Sequence, residues 1–555
     1  MKKNWKRVAA LLCAFTTSIS VAACGVSDPT GAGNADLTKA QLYVCNYSGG
    51  VGREWLDNII KRFQQDFATT KFTADTVGVE VWVTDTENDL EGYWGQQIER
   101  GCKESVFFLE DVNYRNAIVK GWVLDITDIV QEDLTAYNET ESIEDKLYAD
   151  QVALYQTADG KYYGLPHSQV PTLLTYDADY FDINGLCFGS DGELGKSSAE
   201  DDLSAGPDGQ VGTYDDGMPA TYAQFYVLCD AILELGAAPM IWAGASGMEF
   251  YTTRFAKSLR ADFEGAEATI GYTFDGTATH LIESIDEATR EITYKPPVKI
   301  TEKNGWEYFS SAGYYYAYEF FENIYRGNNG NNGYYSDSSF SSGTNHKSAQ
   351  NKFLQGNLDD SWEDIAMIVE GTYWVNEAKD KFTELEGKFS DASLKDRNLK
   401  VMPLPKATEA QVGEKSTYVD SINQLAFISS KTPTEKVELA KTFLQYCETQ
   451  ESLEEFLLTT NLTRSYNVDY SGIYDQLCPY SKSIVDMFSQ SNYIVASSNS
   501  AVFRNGYDTF FSRYEMGTAA NLHPMWAIKG GATAISLWNA KKAQHTATNW
   551  AERLK

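Results

Sequence analysis

The order of apolar segments after residue 40 constrains the fold more than any other feature of this sequence. Residues 41–47, 77–83 and 105–109 are short apolar runs typical of buried strands. Between them, residues 54–67 and 90–100 carry apolar side chains at helical spacing. A strand–helix–strand–helix–strand order predicts a parallel sheet with right-handed crossovers, and therefore an α/β protein.

Polar side chains lie at the ends of the first and third predicted strands. Tyr47 ends the first strand, and Glu110 and Asp111 directly follow the third. Ligands of parallel sheets bind beyond the carboxyl ends of the strands, so we expect these three residues at a binding site. Packing of Tyr47 in the core, and capping of a helix by the two acids, are the alternatives.

The N-terminus has the features of a targeting segment. Basic residues within the first seven positions precede an apolar stretch at residues 8–20, and small residues then lead to Cys24. This order resembles the bacterial lipobox, in which the Cys is lipidated and becomes the new N-terminus; an ordinary signal peptide with an incidental Cys, or a buried helix, is the alternative. The lipobox predicts a signal peptide at residues 1–23 and a lipidated flexible tether at residues 24–40. The protein is then exported and lipid-anchored to the outer face of the cell membrane.

Composition excludes several classes of protein. The 555 residues carry 78 acidic and 46 basic side chains, and a net charge of -32 argues against binding to the phosphates of nucleic acids. No apolar stretch of 18 residues occurs beyond the N-terminus, which excludes a multispan membrane protein. Six cysteines remain after Cys13 and Cys24, without a CxxC pair, so a zinc ribbon has no support. Disulfides and buried thiols both remain open for them.

Four blocks of sequence, in order, resemble one family. They are DGKYYGLP at residues 159–166 with LLTYDADYF at 173–181; PATYAQFYVLCDAI at 219–232; KFLQGN at 352–357 with IAMIVEGTYW at 365–374; and the segment from FISSK to LEEF at 427–456. Together they resemble the extracytoplasmic sugar-binding lipoproteins of ABC transporters, the family 1 solute-binding proteins that include maltose-binding protein. The chain is longer than typical members, with insertions near 185–217 and 327–347.

The resemblance implies a type II periplasmic-binding-protein-like α/β fold with two lobes joined by hinge crossings, the chain segments that pass between lobes. Matching the blocks places these crossings near Tyr176, Asp420 and Leu462. The N-terminal lobe then comprises residues 41–176 and 420–462, and the C-terminal lobe residues 177–419 and 463–555. The family's activity implies a monomeric receptor, not an enzyme, that binds an oligosaccharide between its lobes, requires no cofactor and delivers its ligand to the transporter's permease subunits.

The resemblance also implies binding residues, because sugars are held by aromatic faces and planar hydrogen-bonding groups. Trp374 stands three residues after Gly371, where the family has a stacking Trp, and Tyr373 precedes it. Each aromatic could instead be a core residue, and a lone His is more often structural. The further candidates are Trp242, Trp526, His167 and Gln169.

An acidic insertion at residues 201–217 is a candidate calcium site. Asp208, Asp215 and Asp216 lie among glycine turns and offer the oxygen ligands that calcium prefers. The segment lacks the ligand order of an EF-hand, and a solvated loop is the alternative.

Two other functions remain open. A surface-anchored glycan-active enzyme would also use an aromatic cleft with carboxylates, and a glycosidase needs two carboxylates flanking one bond. A receptor of the same fold for peptides or polyamines is the other. GxSxG and HExxH motifs are absent, so the sequence does not support an esterase or a zinc protease.

Overall fold

A computed structural model describes residues 35–110, 112–327, 333–420, 424–503, 515–517 and 523–554. The predicted signal peptide, Cys24 and Asp111 lie outside the described residues. Within the described part, no helix has the length and apolar character needed to cross a membrane, and no disulfide forms among the six cysteines it contains.

The strands, in chain order, are β1 (Ala40–Tyr47), β2 (Val79–Thr86), β3 (Val106–Leu109), β4 (Leu165–Pro166), β5 (Thr172–Asp177), β6 (Cys187–Phe188), β7 (Leu194–Lys196), β8 (Ala238–Ile241), β9 (Gly276–Ala278), β10 (Ile282–Ile285), β11 (Ile292–Tyr294), β12 (Val298–Ile300), β13 (Ile365–Gly371), β14 (Leu399–Val401), β15 (Thr417–Asp420), β16 (Leu425–Ile428) and β17 (Asn492–Val495).

The α-helices are α1 (Glu54–Asp66), α2 (Gly95–Glu99), α3 (Tyr114–Val119), α4 (Thr127–Gln131), α5 (Ile143–Lys146), α6 (Ala149–Tyr155), α7 (Ala178–Asn184), α8 (Tyr222–Glu234), α9 (Phe250–Glu264), α10 (Ile270–Thr273), α11 (Ala312–Arg326), α12 (His346–Gly356), α13 (Trp374–Glu377), α14 (Lys379–Glu386), α15 (Thr434–Tyr446), α16 (Gln450–Thr460), α17 (Pro479–Ser489), α18 (Pro524–Lys529), α19 (Ala534–Gln544) and α20 (Ala547–Arg553).

The first large sheet contains the three strands predicted from the N-terminal pattern. Its order is β2-β1-β3-β16-β4, and β1 pairs in parallel with both β2 and β3. The predicted α/β architecture is therefore confirmed. The later strand β16 returns antiparallel between β3 and β4, which makes the sheet mixed.

Helix α1 covers the first sheet with the apolar face that its sequence predicts. Trp55, Ile59, Ile60 and Phe63 are fully buried, and they recur at the three- and four-residue spacing of one helix face. Fully burying side chains of this size stabilises the fold by about 1.5–3 kcal/mol each.

The second large sheet has the order β14-β5-β13-β8. Its central strand β13 is parallel to β8 and antiparallel to β5, and all seven of its residues are buried. A strand that is buried on both faces needs a continuous apolar run rather than an alternating one, and the segment from Ile365 to Val369 provides it.

The first crossing precedes the position predicted from the sequence. Tyr176 lies in β5 and pairs with Met367 of the second sheet, so the chain leaves the first sheet between Pro166 and Thr172. The prediction near Tyr176 was wrong because an extended apolar run does not indicate which of two sheets it joins.

Hydrogen bonds hold the crossing segments together. The backbone N–H of Gln169 donates to the Thr463 carbonyl at 3.2 Å, and the Thr463 hydroxyl donates to Gln169 Oε1 at 2.9 Å. Ser168 donates to the side-chain oxygen of Gln424, the residue that precedes β16. These side chains are buried, so their bonds are shielded from competing water.

Segments outside the two sheets form small hairpins. The pairs β9–β12 and β10–β11 belong to residues 276–300, which the sequence analysis left without structure. The predicted insertion near 185–217 contains the pair β6–β7. Their strands are only two to four residues long, too short for periodicity to identify.

A buried ion pair next to the crossing at Thr463 gives a test of this architecture. Arg464 and Glu448 are fully buried and ion-paired, and the Arg464 guanidinium lies 5.0 Å from the centre of the Phe456 ring. We expect Arg464→Met to lower the free energy of unfolding by about 3–5 kcal/mol, because the carboxylate then stays buried without its partner. Urea unfolding followed by circular dichroism measures the change.

The exposed ion pair between Lys299 and Asp275 is the matched control, and Asp275→Ala should change the unfolding midpoint little. The double variant Arg464→Met/Glu448→Met should regain much of the lost stability. Equal and small effects of Arg464→Met and Asp275→Ala would contradict the assignment.

Candidate ligand-binding site

A cavity of about 510 Å³ lies between the two large sheets. We call it the ligand cavity. Its lining residues come from the ends of strands in the first sheet and from the start of α9 and the end of β13 on the other side. They are Tyr47, Gly49, Gly50, Val51, Glu110, Gly247, Met248, Glu249, Phe250, Tyr251, Thr253, Arg254, His346, Tyr373, Glu377, Gln424 and His523.

The first sheet supplies its part of the wall through strand topology. Tyr47 ends β1 and Glu110 follows β3, and because these strands are parallel their carboxyl ends share one edge. Antiparallel β16 begins at the same edge, which places Gln424 there, with its Nε2 donating to Glu110 Oε1 at 3.5 Å. The structure therefore brings Tyr47 and Glu110 together, as the sequence analysis expected. Their role in binding stays a prediction.

The opposite wall is aromatic. Phe250 and Tyr251 begin α9, and Tyr373 follows β13 after the turn at Gly371. The ring of Tyr373 packs against the turn at Gly50, where the backbone φ is +66° and a Cβ atom would lie 3.0 Å from Tyr373 Cδ2. Glycine is required there both for the left-handed conformation and for the close approach of the two walls.

Buried acidic groups lie behind the aromatic wall. Glu370 of β13 is almost fully buried, and burial, together with the nearby charge of Glu377, raises its pKa well above the ordinary value. Gln350 Nε2 donates to Glu377 Oε2 at 2.8 Å and to Glu370 Oε1 at 3.4 Å. Burial also raises the pKa of Tyr251, so its hydroxyl keeps its proton at neutral pH.

Charged and aromatic groups alternate around the rest of the wall. The Arg254 guanidinium lies 4.5 Å from the centre of the Phe250 ring, a cation–π contact that holds the ring in place. His523 Nδ1 and the Thr253 hydroxyl are 2.6 Å apart, and burial lowers the pKa of His523, which favours its neutral form. The cavity therefore offers aromatic faces beside carboxylate, amide, hydroxyl and guanidinium groups.

Trp374 is a core residue, contrary to the stacking role expected from the resemblance. It is 0% exposed, its ring packs against Phe353, Phe382 and Tyr480, and its Nε1 donates to Thr175 Oγ1 at 3.1 Å. The preceding Tyr373 lines the cavity instead. At the turn from β13 into α13, successive side chains point in different directions. Two neighbouring residues can therefore differ in location, with Tyr373 in the cavity wall and Trp374 in the core.

The other two tryptophans lie outside the cavity lining. Trp242 is 1% exposed and packs against Tyr335 and Phe340, and half-buried Trp526 also packs against Phe340 at 5.2 Å. The binding roles considered for Trp242 and Trp526 are therefore not supported by their positions. Large aromatic side chains contribute to both cores and interfaces, which is why sequence alone could not separate the two roles.

His167 and Gln169 belong to the first crossing rather than to the ligand cavity. The His167 ring lies among Trp55, Phe108 and Phe456, and burial, with a contribution from the charge of Arg464, lowers its pKa well below the ordinary value. Gln169 lines a second cavity of about 510 Å³, with Tyr148, Tyr466 and Tyr493 among its walls. Neither His167 nor Gln169 lines the ligand cavity, where the sequence had predicted them.

The acidic insertion is held by its own hydrogen bonds. Asp215 accepts from the backbone N–H of Asp208 and from the Thr213 hydroxyl, and Asp216 accepts from the backbone of Gly212 and Thr213. Burial raises the pKa of Asp215 to about 6. Calcium binding at Asp208, Asp215 and Asp216 stays a prediction.

The start of α9 is the part of the site that sequence reasoning missed. Phe250, Tyr251 and Arg254 follow a glycine-containing turn at residues 244–247. The aromatic and basic residues directly after this turn were the signal in the sequence, whereas Trp242, which precedes the turn, is buried in the core.

Comparison by sequence finds no relative: no family model and no curated protein matches the chain.

Comparison with solved structures identifies the fold. Among solved structures, a chitin oligosaccharide binding protein has a TM-score of 0.52 at 16% sequence identity, with 91% of this chain and 98% of that chain covered. A probable secreted solute-binding lipoprotein from Streptomyces coelicolor has a TM-score of 0.52 at 12% identity over 91% and 98%. The GacH receptor of Streptomyces glaucescens, solved unliganded and with acarbose, has a TM-score of 0.51 at 11% identity over 93% and 98%. The predicted two-lobe fold of solute-binding proteins is therefore confirmed.

The buried position of His167 predicts a specific dependence of stability on pH. The folded state keeps this imidazole neutral, whereas the unfolded chain binds a proton below about pH 6.5, so the free energy of unfolding should fall as pH decreases from there. The loss from this group approaches about 1.4 kcal/mol per pH unit. In His167→Gln that part of the slope should disappear, as measured by urea unfolding between about pH 7 and 5. If the free energies of unfolding of the two proteins depend on pH in parallel, His167 has the same pKa in the folded and unfolded states, and the prediction is wrong.

Proposed function

We propose that this protein is an extracytoplasmic receptor that captures a carbohydrate, specifically an oligosaccharide, in the ligand cavity and delivers it to the permease of an ABC transporter. The observation that supports this proposal most strongly is that residues of both lobes line the cavity. Tyr47, Glu110 and Gln424 come from one side, and Phe250, Tyr251, Arg254 and Tyr373 come from the other. A ligand in this position contacts both lobes only when they are closed, so its binding favours closure.

The chemistry of the walls suits a sugar. Sugar rings present apolar C–H faces that pack on aromatic rings, and hydroxyls that bond to carboxylates, amides and guanidinium groups. Tyr47 and Phe250 offer partly exposed rings, and Glu110, Gln424 and Arg254 offer the polar partners. The volume of about 510 Å³ lies in the range of small-molecule sites, which fits a short oligosaccharide rather than a polymer.

The names of structurally similar proteins support the same ligand class. One is described as binding chitin oligosaccharides and another was solved in complex with acarbose. They are binding proteins, which favours a receptor over an enzyme. Because the sequence identities are low, the specific sugar has to come from experiment.

An enzyme that acts on glycans is the second candidate. Glu110 lies on one side of the cavity and Glu249 and Glu377 on the other, so paired carboxylates are present across the space that a ligand would fill. The same three carboxylates also favour a third candidate, a receptor of the same fold for polyamines. They outnumber the one arginine in the cavity wall, Arg254, and would attract a positively charged ligand.

One set of measurements separates these functions. Thermal shift of the purified protein over a panel of oligosaccharides, polyamines and short peptides identifies the ligand class, since a bound ligand raises the melting temperature by mass action. Each sugar that binds is then incubated with the protein and analysed by chromatography. The receptor function requires a sugar to bind and return intact. Shorter products, abolished by Glu110→Gln, would make the protein an enzyme.

The partly exposed ring of Phe250 provides a test of stacking. We expect Phe250→Ala to weaken oligosaccharide binding by about 1–2 kcal/mol, roughly five- to thirtyfold, because a packed aromatic face is lost. Isothermal titration calorimetry measures the change. Trp362, an exposed aromatic residue outside the cavity, provides the matched control Trp362→Ala, which should bind as the unchanged protein does. If both variants bind with the original affinity, Phe250 makes no stacking contact.

The membrane anchor is a separate proposal that rests on the sequence around Cys24. Two acyl chains hold a protein stably at a membrane where one does not. Cys24→Ser should therefore release the protein from cells into the medium, as measured by immunoblotting of the cell and medium fractions. Retention of the variant at the cell surface would exclude anchoring through this residue.

A further inference from the structure

Three ligating side chains converge at the C-terminal end of α9, the end of the helix opposite to the ligand cavity. Glu264, Glu267 and His280 each place one carboxylate oxygen or imidazole nitrogen within 4.8 Å of the others. Among the residues that the structure describes, no other set of three or more His, Cys, Asp and Glu side chains meets this condition. We call these residues the α9 terminal cluster.

Three successive elements bring the cluster together. Glu264 is the last residue of α9, Glu267 lies in the 3-10 helix Gly265–Thr269, and His280 lies between β9 and β10. Thr279 fixes the last of these to Glu267, because its backbone N–H and its hydroxyl donate to the carboxylate at 2.9 and 2.6 Å. The relative position of the side chains is therefore set by the fold.

The cluster contains ligand atoms that the protein leaves without partners. Glu264 is only 3% exposed, and its Oε1 accepts from the backbone N–H of Gly313 at 2.7 Å. Its Oε2 is enclosed and accepts no hydrogen bond of good geometry from the described residues, although the Ser311 hydroxyl faces this carboxylate, and His280 Nδ1 is likewise enclosed without one. Enclosing such polar atoms without a partner is costly, so both point to a missing group between them.

Few other polar side chains surround the buried carboxylate of the cluster. Arg260 and Ser311 are the other polar side chains that face Glu264. Arg260 is ion-paired with Glu515, with 2.9 Å between Nε and Oε1, and it shares this carboxylate with Lys257, whose Nζ lies 3.8 Å from Oε2. The cluster therefore has two carboxylates and one imidazole, and the one cationic side chain that faces Glu264 among the described residues is also paired with Glu515.

We propose that the α9 terminal cluster binds a divalent cation of the zinc type, through Glu264 Oε2, a Glu267 carboxylate oxygen and His280 Nδ1. Zinc accepts mixed imidazole and carboxylate ligands and completes a tetrahedron with water, whereas calcium and magnesium prefer oxygen ligands alone. The side chains of His280 and Glu267 are 42% and 22% exposed, so the cation reaches the site from solvent.

The bound cation links the end of α9 to the hairpin region that follows it. At 1.5 Å per residue, the fifteen residues of α9 place this site about 20 Å from the start of the helix in the ligand cavity. Gly265 and Ala266, which separate two of the ligands, also line the second cavity. The cation thus holds a wall of the second cavity in place, and its binding is independent of the proposed carbohydrate function.

Titration of the chelator-treated full chain with zinc chloride tests the site. We expect one zinc ion per chain by calorimetry, and a rise in melting temperature that calcium and magnesium chloride do not reproduce. His280→Gln and Glu267→Gln should each weaken zinc binding at least tenfold. Both residues are partly exposed, and both variants should melt near the unchanged protein when metal is absent.

Glu283→Gln, which removes an exposed carboxylate from β10, is the matched control and should bind zinc with unchanged affinity. The proposal is overturned if the unchanged protein binds no zinc, if calcium binds as tightly, or if either cluster variant retains full affinity. An equal loss of affinity in Glu283→Gln would also overturn it, since it would indicate binding to surface charge in general.

Discussion

The hydrogen bonds that join the three crossings are the constraint on which the rest of the structure depends. Gln169 on the first crossing is bonded to Thr463, next to the crossing predicted at Leu462, and Ser168 is bonded to Gln424, close to the crossing predicted at Asp420. Because these chain segments are tied together at one place, we expect the lobes to move relative to each other by hinge rotation about them. Rotation about a fixed hinge would bring the same residues of the two cavity walls opposite each other at every closure.

Helix α9 connects this axis to the binding site. Its first turn carries Phe250 and Arg254 of the cavity wall, and nearly all of its remaining residues are buried. Two of them bond to β15, which leads into the second crossing: Ser258 accepts from the backbone N–H of Val419, and Asp262 accepts from Thr417. A ligand that contacts the start of α9 therefore acts on an element that is fixed to the hinge region.

The first three strands were predictable from the sequence because each is a largely apolar run and a helix separates it from the next, whereas the return of β16 into the same sheet was not. The same logic predicted Tyr47 and Glu110, since the ends of parallel strands share an edge. Trp374 was not predictable, because position in a family block does not reveal which way a side chain points after a turn. His167 was predicted to contact the ligand. Its burial was not predictable, because the aromatic residues that enclose its ring come from three segments distant in the sequence. The α9 terminal cluster depends on contacts between a helix end and a short hairpin, which leave no local pattern.

Lobe closure on the ligand is the central claim. In this structure the two sides already touch, with Lys379 Nζ 2.5 Å from a Glu54 carboxylate oxygen and Tyr373 packed on Gly50. Small-angle X-ray scattering with and without a saturating oligosaccharide is the most direct test. The ligand-bound protein should scatter as this structure does, and the ligand-free protein should have a larger radius of gyration, because the two walls separate without a ligand between them. An unchanged radius of gyration, with binding confirmed on the same sample, would contradict closure about the crossings.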